Sequence, residues 1–293
     1  MKSGYVALIG RPNVGKSTLL NHLIGQKLSI TSRRPQTTRH RITGIKTTEE
    51  AQVIFVDTPG MHRSEQKALN RRLNQTAQAT LTGVDVVVWL NDSLQWRDDD
   101  ELVLEKLKHI TIPVILAINK IDLVSDKESC LPFLQSASQR YPFAELIPIS
   151  ALKAINVDAL LQSMINLLPE GELIYPEDQI TDRSERFFIS EIIREKLTRS
   201  LSKELPYALT IEIETYEEAE ILITIGAIIW VEREGQKRIV IGNKGDVLKK
   251  VGERARIDIE QMLEKKVFLK LWVKVKSGWS DNERMINALG YQD

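Results

Sequence analysis

Residues 10–17 constrain the fold more than any other part of the chain. They spell Gly-Arg-Pro-Asn-Val-Gly-Lys-Ser, follow an apolar β-branched run at 5–9, and precede helical spacing at 16–24. A glycine-rich turn between a strand and a helix brings backbone N–H groups and the positive end of the helix dipole to one point. The pattern predicts a phosphate-binding loop made of Gly10, Arg11, Pro12, Asn13, Val14, Gly15, Lys16, Ser17 and Thr18.

The first half of the chain alternates short apolar runs with longer amphipathic segments. This alternation is typical of βα units, so we expect an α/β domain with a mainly parallel sheet flanked by helices. Predicted strands are 5–9, 42–47, 52–56, 84–90, 113–118 and 146–149. Predicted helices are 16–24, 66–82, 98–109, 126–139 and 157–167.

The second half has a different order of elements and predicts a smaller α+β domain. A helix at 187–201 is followed by alternating strands at 208–214 and 221–231, a glycine-marked turn, a basic amphipathic helix at 246–263, a strand at 267–276 and a short helix at 280–289. The proline-containing, acidic segment between the halves predicts a linker. The predicted boundaries are 1–170, 171–184 and 185–293.

Composition narrows the cellular context. With 293 residues, 42% hydrophobic and 27% charged, the chain resembles an ordinary globular protein of two domains. Its single cysteine, Cys130, cannot form an internal disulfide, and the first apolar run starts too early to leave room for a signal peptide. The longest apolar stretch, 221–231, is shorter than the ~20 residues of a membrane span. We therefore expect a cytoplasmic location, with peripheral membrane attachment left open.

Three further motifs follow the phosphate-binding loop in order. Asp57-Thr58-Pro59-Gly60 ends an apolar strand, where Asp57 can hold Mg²⁺ through water and the Gly60 N–H can sense a γ-phosphate. Asn119-Lys120-Ile121-Asp122 ends another strand, and the Asp122 carboxylate can accept two hydrogen bonds from guanine, which adenine cannot donate. The third motif is the segment Ser150, Ala151 and Leu152, which could offer a backbone N–H to the guanine O6.

These four motifs resemble, in order and spacing, those of the translation-factor-related GTPases over residues 5–168. The resemblance implies hydrolysis of GTP with Mg²⁺ held by Ser17, Thr37, Thr38 and Asp57, although which threonine closes onto the metal stays open. It also implies catalytic roles for Lys16, Thr38 and Gly60. Met61 stands where Ras-like proteins have a water-orienting glutamine. Asn13 is either the asparagine that binds an activating K⁺ in a related subgroup or only a loop residue.

Charge is unevenly distributed although the net charge is zero. The range 237–256 is strongly basic, and a second basic run comprises Lys265, Lys266, Lys270, Lys274 and Lys276. Acids are concentrated at Glu212, Glu214, Glu217, Glu218 and Glu220. This segregation predicts that the two signs occupy different faces, and it favours a nucleic-acid surface.

The residues Ile241, Gly242, Asn243, Lys244 and Gly245 match the GXXG loop of a KH domain, which clamps about four nucleotides of single-stranded RNA. The order of elements suits the type II variant. Predicted RNA contacts are Lys237, Arg238, Ile241, Gly242, Asn243, Lys244, Gly245, Lys249, Lys250 and Arg254.

A GTPase joined to such a domain resembles the Era family, and residues 236–245 and 271–279 carry the match. The resemblance implies a monomeric bacterial GTPase that binds 16S ribosomal RNA near its 3′ end, acts in assembly of the 30S subunit and associates loosely with the inner membrane. Two other functions remain open: an RNA-binding module whose nucleotide pocket is mainly structural, and a partner in tRNA modification. Kinase activity is disfavoured because residues 119–122 select guanine.

Overall fold

The structure, a computed structural model, describes residues 1–31, 39–57, 80–92, 94–201, 205 and 208–279. Contacts divide the chain into two compact units, and the division falls between Asp182 and Arg183. No helix among the described residues is long and apolar enough to cross a membrane.

The first unit is a six-stranded sheet with helices. Its elements are β1 (Lys2–Ile9), α1 (Lys16–Ile24), β2 (Ile42–Thr47), β3 (Ala51–Asp57), β4 (Val86–Asp92), α2 (Asp98–Leu107), β5 (Val114–Asn119), α3 (Cys130–Arg140), β6 (Glu145–Pro148) and α4 (Val157–Leu167). The strand order is β2-β3-β1-β4-β5-β6, and only the β2–β3 pair is antiparallel.

The central strands are mainly apolar because both faces of a parallel sheet are covered. Every residue of β3, β4 and β5 is buried. Because β1, β3, β5 and β6 run in the same direction, the loops that follow their carboxyl ends lie at one edge of the sheet. The four predicted nucleotide-binding motifs follow those four strands.

The segment 169–182 lies against the first unit. The Ser3 hydroxyl donates to the carbonyl of Glu172 over 2.7 Å. The Gln52 side chain bonds the backbone of Tyr175 through both its oxygen and its nitrogen. These contacts hold much of the predicted linker, 171–184, along the sheet.

The second unit contains α5 (Glu185–Ser200), β7 (Leu209–Glu218), β8 (Leu222–Val231), α6 (Glu234–Ile241), α7 (Asp246–Leu263) and β9 (Lys266–Val275). Its sheet has the order β7-β8-β9, with β7 antiparallel and β9 parallel to β8. One face packs on the helices around Ile193, Ile225, Ile229, Val251 and Ile259, all of which are fully buried or nearly so. The other face is left without a helix among the described residues.

The predicted fold class is confirmed for both units, and strand β2 and helices α1, α4 and α7 have the predicted bounds. The prediction is wrong at 234–241, where it placed only a turn and the structure has a helix. Gly235 and the run Ile-Val-Ile at its end weaken local helix propensity, and burial of Val240 in the core stabilises the helix instead. The predicted helix at 280–289 lies outside the described residues. So does the predicted helix at 66–82 as far as residue 79, and residues 80–82 are turn or bend.

Candidate nucleotide and RNA sites

The phosphate-binding loop connects β1 to α1, as predicted. Gly15, at the start of α1, has φ of 106°, and a Cβ there would lie 2.2 Å from Nδ2 of Asn119. Any other residue at position 15 would therefore both strain the backbone and displace the asparagine. The loop is built to bring its backbone close to the β5 motif.

Lys16 is buried beneath the loop. Its ammonium donates to the carbonyls of Gly10 and Arg11 over 2.9 and 3.0 Å. Burial lowers the pKa of Lys16 to about 8, while the carboxylate of Asp57 opposes that shift. A phosphate placed over this loop would supply the anion that a buried ammonium lacks.

The β3 motif meets the loop at Asp57, which is fully buried. Its carboxylate accepts a hydrogen bond from the Ser17 hydroxyl over 3.0 Å and one from the Ser29 hydroxyl over 2.9 Å. Asn21 fixes Ser29, because its side chain bonds the backbone N–H and carbonyl of that residue. Sequence analysis missed Ser29 and Asn21, since no short motif links them to Asp57.

Asn119 joins three loops. Its amide nitrogen donates to the carbonyl of Val14 over 2.7 Å, and its oxygen accepts from the N–H groups of Lys120 and Ala151 over 2.8 and 2.9 Å. The Ala151 N–H, one of the three in the segment that could face a guanine O6, is thus bonded to Asn119 here. Leu152 is largely exposed.

Asp122 lies in a single helical turn after β5, at residues 121–123. The Ser150 hydroxyl donates to one of its carboxylate oxygens over 2.5 Å. Because a carboxylate has about four acceptor sites, this bond orients Asp122 without using its capacity for guanine. The structure therefore brings described residues from all four motifs, with Asp57 representing the second, into one site.

Two acids that sequence analysis missed support this site. Arg11 donates to both carboxylate oxygens of Asp100 over 3.1 Å and pairs with Asp92. Lys120 donates to the other oxygen of Asp92 over 2.5 Å and to the carbonyl of Asn13 over 2.8 Å. Burial raises the pKa of Asp100, and the Arg11 guanidinium opposes this. Asp92 thereby ties the phosphate-binding loop to the guanine-selecting motif.

The predicted GXXG loop lies between α6 and α7. Gly242 has φ of 77°, and a Cβ there would lie 2.2 Å from an oxygen of Asp246 and 2.8 Å from the nitrogen of Val247. Gly242 is therefore required by the turn itself. Gly245, with φ of 84°, is the N-cap residue just before α7 and has open space beside it.

The predicted basic contacts surround this loop. Lys237, Arg238 and Ile241 lie on α6, and Lys249, Lys250 and Arg254 lie on α7. Arg238, Lys244, Lys249, Lys250 and Arg254 are exposed. Thr37, Thr38, Gly60 and Met61 lie outside the described residues, so their predicted roles stay predictions.

Comparison with known proteins identifies the two units. Residues 5–120 match the family described as 50S ribosome-binding GTPase, and residues 204–280 match the KH domain. The chain is 54% identical over 292 residues to GTPase Era of Ectopseudomonas mendocina, covering 100% of this chain and 98% of the relative. The chain belongs to the Era GTPase family. It is also 53% identical to GTPase Era of Pseudomonas aeruginosa, covering 100% of this chain and 96% of that protein.

Two solved Era structures match the whole chain. Aquifex aeolicus Era, crystallised as a variant bound to GDP·AlF₄⁻, is 39% identical with a TM-score of 0.96. Era in complex with MgGDPNP and nucleotides 1506–1542 of 16S ribosomal RNA is also 39% identical, with a TM-score of 0.97. Each match covers 100% of both chains. The predicted family and the predicted hydrolysis of GTP to GDP and phosphate are confirmed.

The contacts of Asp92 in this Era GTPase predict that its charge contributes to nucleotide binding. Asp92→Asn keeps the size of the side chain but removes the anion shared by Arg11 and Lys120, so we expect GDP to bind about tenfold more weakly. Dissociation of a fluorescent GDP, followed by stopped flow, measures the change. Glu101→Gln is the matched control, because Glu101 pairs with Arg140 at the surface, where an ion pair contributes little. Equal dissociation rates for Asp92→Asn and the wild type would contradict a positioning role.

Proposed function

We propose that this GTPase binds the single-stranded 3′ region of 16S ribosomal RNA through its GXXG loop and acts as a nucleotide-controlled switch in 30S subunit assembly. The Era complex with MgGDPNP and 16S nucleotides 1506–1542 carries the proposal, because that protein resembles this chain over its full length. The loop at 242–245 and its exposed basic residues support it from the chain's own geometry. The description 50S ribosome-binding GTPase covers only residues 5–120, so it does not decide between the subunits.

Mg²⁺ fits the nucleotide site of this chain. The Ser17 hydroxyl and the Asp57 carboxylate are hard oxygen donors that lie 3.0 Å apart at the ends of α1 and β3. The relative named above contains Mg²⁺ with GDPNP. When bound, the ion neutralises charge on the β- and γ-phosphates. Lys16 would bind the same phosphates, and the choice between Thr37 and Thr38 as the further ligand stays open.

Potassium dependence is the second part of the proposal. Met61 has no polar group to orient water, so hydrolysis without an activator is expected to be slow. Asn13 is exposed in the phosphate-binding loop, with φ of 65°, and is proposed to hold an activating K⁺.

We expect KCl to accelerate phosphate release on the order of tenfold over NaCl at equal ionic strength, somewhat less than one oxyanion-hole donor contributes. Asn13→Ala should remove the difference. Equal turnover of the wild type in the two salts would exclude the K⁺ role and leave the GTPase activity untouched.

RNA binding by the loop is tested with Asn243→Asp/Lys244→Asp. These changes place two anions where a phosphate is expected, so RNA affinity should fall. Each lost phosphate contact should also reduce the slope of log K against log salt by about 0.7. Fluorescence anisotropy with a labelled 16S 3′ oligonucleotide measures both quantities. Asp158→Asn, an exposed change in the first unit, is the control. Unchanged affinity and slope in the loop variant would contradict the assignment.

A switch requires that nucleotide and RNA affect each other's affinity by the same factor. We expect RNA to bind several-fold more tightly to the form loaded with a GTP analogue than to the GDP form, a coupling on the order of 1 to 2 kcal/mol. Indistinguishable RNA affinities of the two nucleotide forms would leave two independent binding domains.

A preference for tRNA over small-subunit RNA would favour the tRNA-modification alternative. A monomeric state and a cytoplasmic location with loose attachment to the inner membrane stay part of the proposal.

A further inference from the structure

The face of the second sheet that is turned away from the helices carries a row of alternating lysines and aromatic rings along β9. The residues of β9 that enter the core are Val267 and Val273, with Leu269, Leu271 and Val275 packed against it. Since side chains alternate along a strand, the intervening positions face outward. They are Lys266, Phe268, Lys270, Trp272 and Lys274, and Lys276 continues the row just beyond the strand.

The two rings at the centre of this row are unusually exposed for their size. Phe268 is 49% exposed and Trp272 is 42% exposed. Gly226 of β8 makes room for Trp272, because a Cβ at that position would lie 3.0 Å from Cζ3 of the indole. The indole thus lies close over the neighbouring strand. Exposed apolar rings that are grouped on one face of a sheet indicate an interaction site.

Charge on this face is divided between its two edges. Lysines occupy β9, whereas Glu212 and Glu214 lie on β7. Trp230 of β8 lies between them: its indole N–H donates to Glu212 over 2.6 Å, and the ammonium groups of Lys274 and Lys276 lie 5.8 and 5.3 Å from its ring centre. Lys274 also forms an ion pair with Glu214 over 3.7 Å, across β8. The prediction that acids and bases occupy different faces is therefore wrong for these residues, which share one face.

We propose that this lysine–aromatic row binds a second stretch of single-stranded RNA, with bases stacked on Phe268 and Trp272 and phosphates held by the lysines. Exposed aromatic rings accept any base by stacking, and neighbouring cations track the backbone. The acidic edge at β7 repels phosphates and confines the strand to β9. This inference rests on the proposed RNA-binding function of the second unit, but it uses a surface that contains none of the residues of the GXXG loop.

A protein partner fits this row less well. The cores of protein interfaces are depleted of lysine, because each ammonium group must lose its water. Here a lysine stands on each side of both rings, and the Lys270 ammonium lies 5.0 Å from the ring centre of Phe268. A nucleic acid compensates the same charges with phosphates while its bases cover the rings.

The position of β9 suits a strand that continues from the loop. Helices α6 and α7, which flank the GXXG loop, both contact β9 on its inner side. β9 is also the edge strand of the three-stranded sheet, so no other described strand pairs with its free edge. RNA held at the loop can therefore pass over this edge to the outer row.

The test compares two unstructured RNA oligomers, one of about 5 nucleotides, close to the roughly four that a GXXG loop clamps, and one of about 16 nucleotides. Phe268→Ala/Trp272→Ala should weaken binding of the longer oligomer by about a hundredfold, since each base–aromatic stack contributes about tenfold. Binding of the shorter oligomer should be unchanged, which also shows that the variant is folded. The salt slope should stay constant for this variant and fall for Lys270→Gln/Lys274→Gln.

Two controls make the result specific. Phe268→Tyr/Trp272→Phe keeps an aromatic ring at both positions and should retain the wild-type affinity. Leu131→Ala removes an exposed apolar side chain from the first unit and should change nothing.

The outcomes separate the two proposed RNA sites. Loss of binding to both oligomers in Asn243→Asp/Lys244→Asp, together with the expected loss for the longer oligomer in the ring variant Phe268→Ala/Trp272→Ala, would support both sites. Equal affinity of the ring variant and the wild type for the longer oligomer would overturn this inference alone, and self-association or capture of a protein abolished by the ring variant would then assign the row to a protein. Failure of the wild type to bind either oligomer would overturn the proposed function as well.

Discussion

Asp122→Asn is expected to convert this GTPase from guanosine to xanthosine nucleotides. Two oxygens of the Asp122 carboxylate match the two donors of guanine, N1–H and the exocyclic amino group. Xanthine has a carbonyl in place of that amino group, so an asparagine amide can donate where the carboxylate could only accept. Sites built around such hydrogen bonds discriminate strongly because a mismatch leaves buried polar groups unpaired. We expect GTP affinity to fall by about a thousandfold.

The geometry around Asp122 explains why the change should stay local. The Ser150 hydroxyl bonds one carboxylate oxygen, and Asn119 fixes the neighbouring loops through Val14 and Ala151. None of these contacts requires the charge of Asp122, since an asparagine oxygen can accept the bond from Ser150. The phosphate-binding loop should therefore keep its shape.

Competition titrations with GTP and XTP against a fluorescent nucleotide measure the switch. Asp158→Asn is the matched control, since it removes the charge of an exposed aspartate in the first turn of α4. It should bind GTP like the wild type. If Asp122→Asn also binds GTP like the wild type, the assignment of base recognition to Asp122 is wrong.

The nucleotide site was largely predictable because the residues that form it lie in short, contiguous motifs. Residues 10–17, Asp57, 119–122 and 150–152 each lie at or just after the carboxyl end of a strand, and parallel strands bring those ends to one edge of the sheet. Local pattern and topology together therefore located the site. Its bonds confirm that the motifs meet, as in the contacts of Ser17 with Asp57 and of Asn119 with Val14.

What the sequence did not reveal depends on contacts between distant residues. Arg11 meets Asp100 across 89 positions, and nothing near either residue marks the pair. The same holds for Gln52, which binds the backbone of Tyr175 123 residues away. Helix α6 was missed for a related reason, since burial of Val240 outweighs local residues that favour a turn or a strand. Outward-facing rings such as Trp272 became visible only once the register of β9 was known.

Lys16→Met is expected to lower GTP turnover by about a hundredfold to a thousandfold, as removal of one preorganised charge donor does in other enzymes. In this structure the Lys16 ammonium is buried and donates to the carbonyls of Gly10 and Arg11, with the Asp57 carboxylate nearby. A γ-phosphate would give it a full negative partner, and when the bond to the β-phosphate breaks, negative charge would develop on the oxygen that leaves with the β-phosphate, which Lys16 would also bind. The lysine therefore stabilises the transition state more than the ground state.

The same burial separates a catalytic effect from a loss of folding. A buried ammonium is costly to desolvate, so a methionine of similar length should leave the thermal stability of the nucleotide-free protein unchanged or slightly higher. Lys153→Met, at an exposed position after β6, controls for the loss of one positive charge. Phosphate release under single-turnover conditions measures the chemical step, and melting curves measure stability. Turnover by Lys16→Met within a few-fold of the wild type would contradict the role of Lys16. Lost turnover with intact subunit assembly in cells would instead show that the RNA-binding unit acts without hydrolysis, which is the alternative of a mainly structural nucleotide pocket.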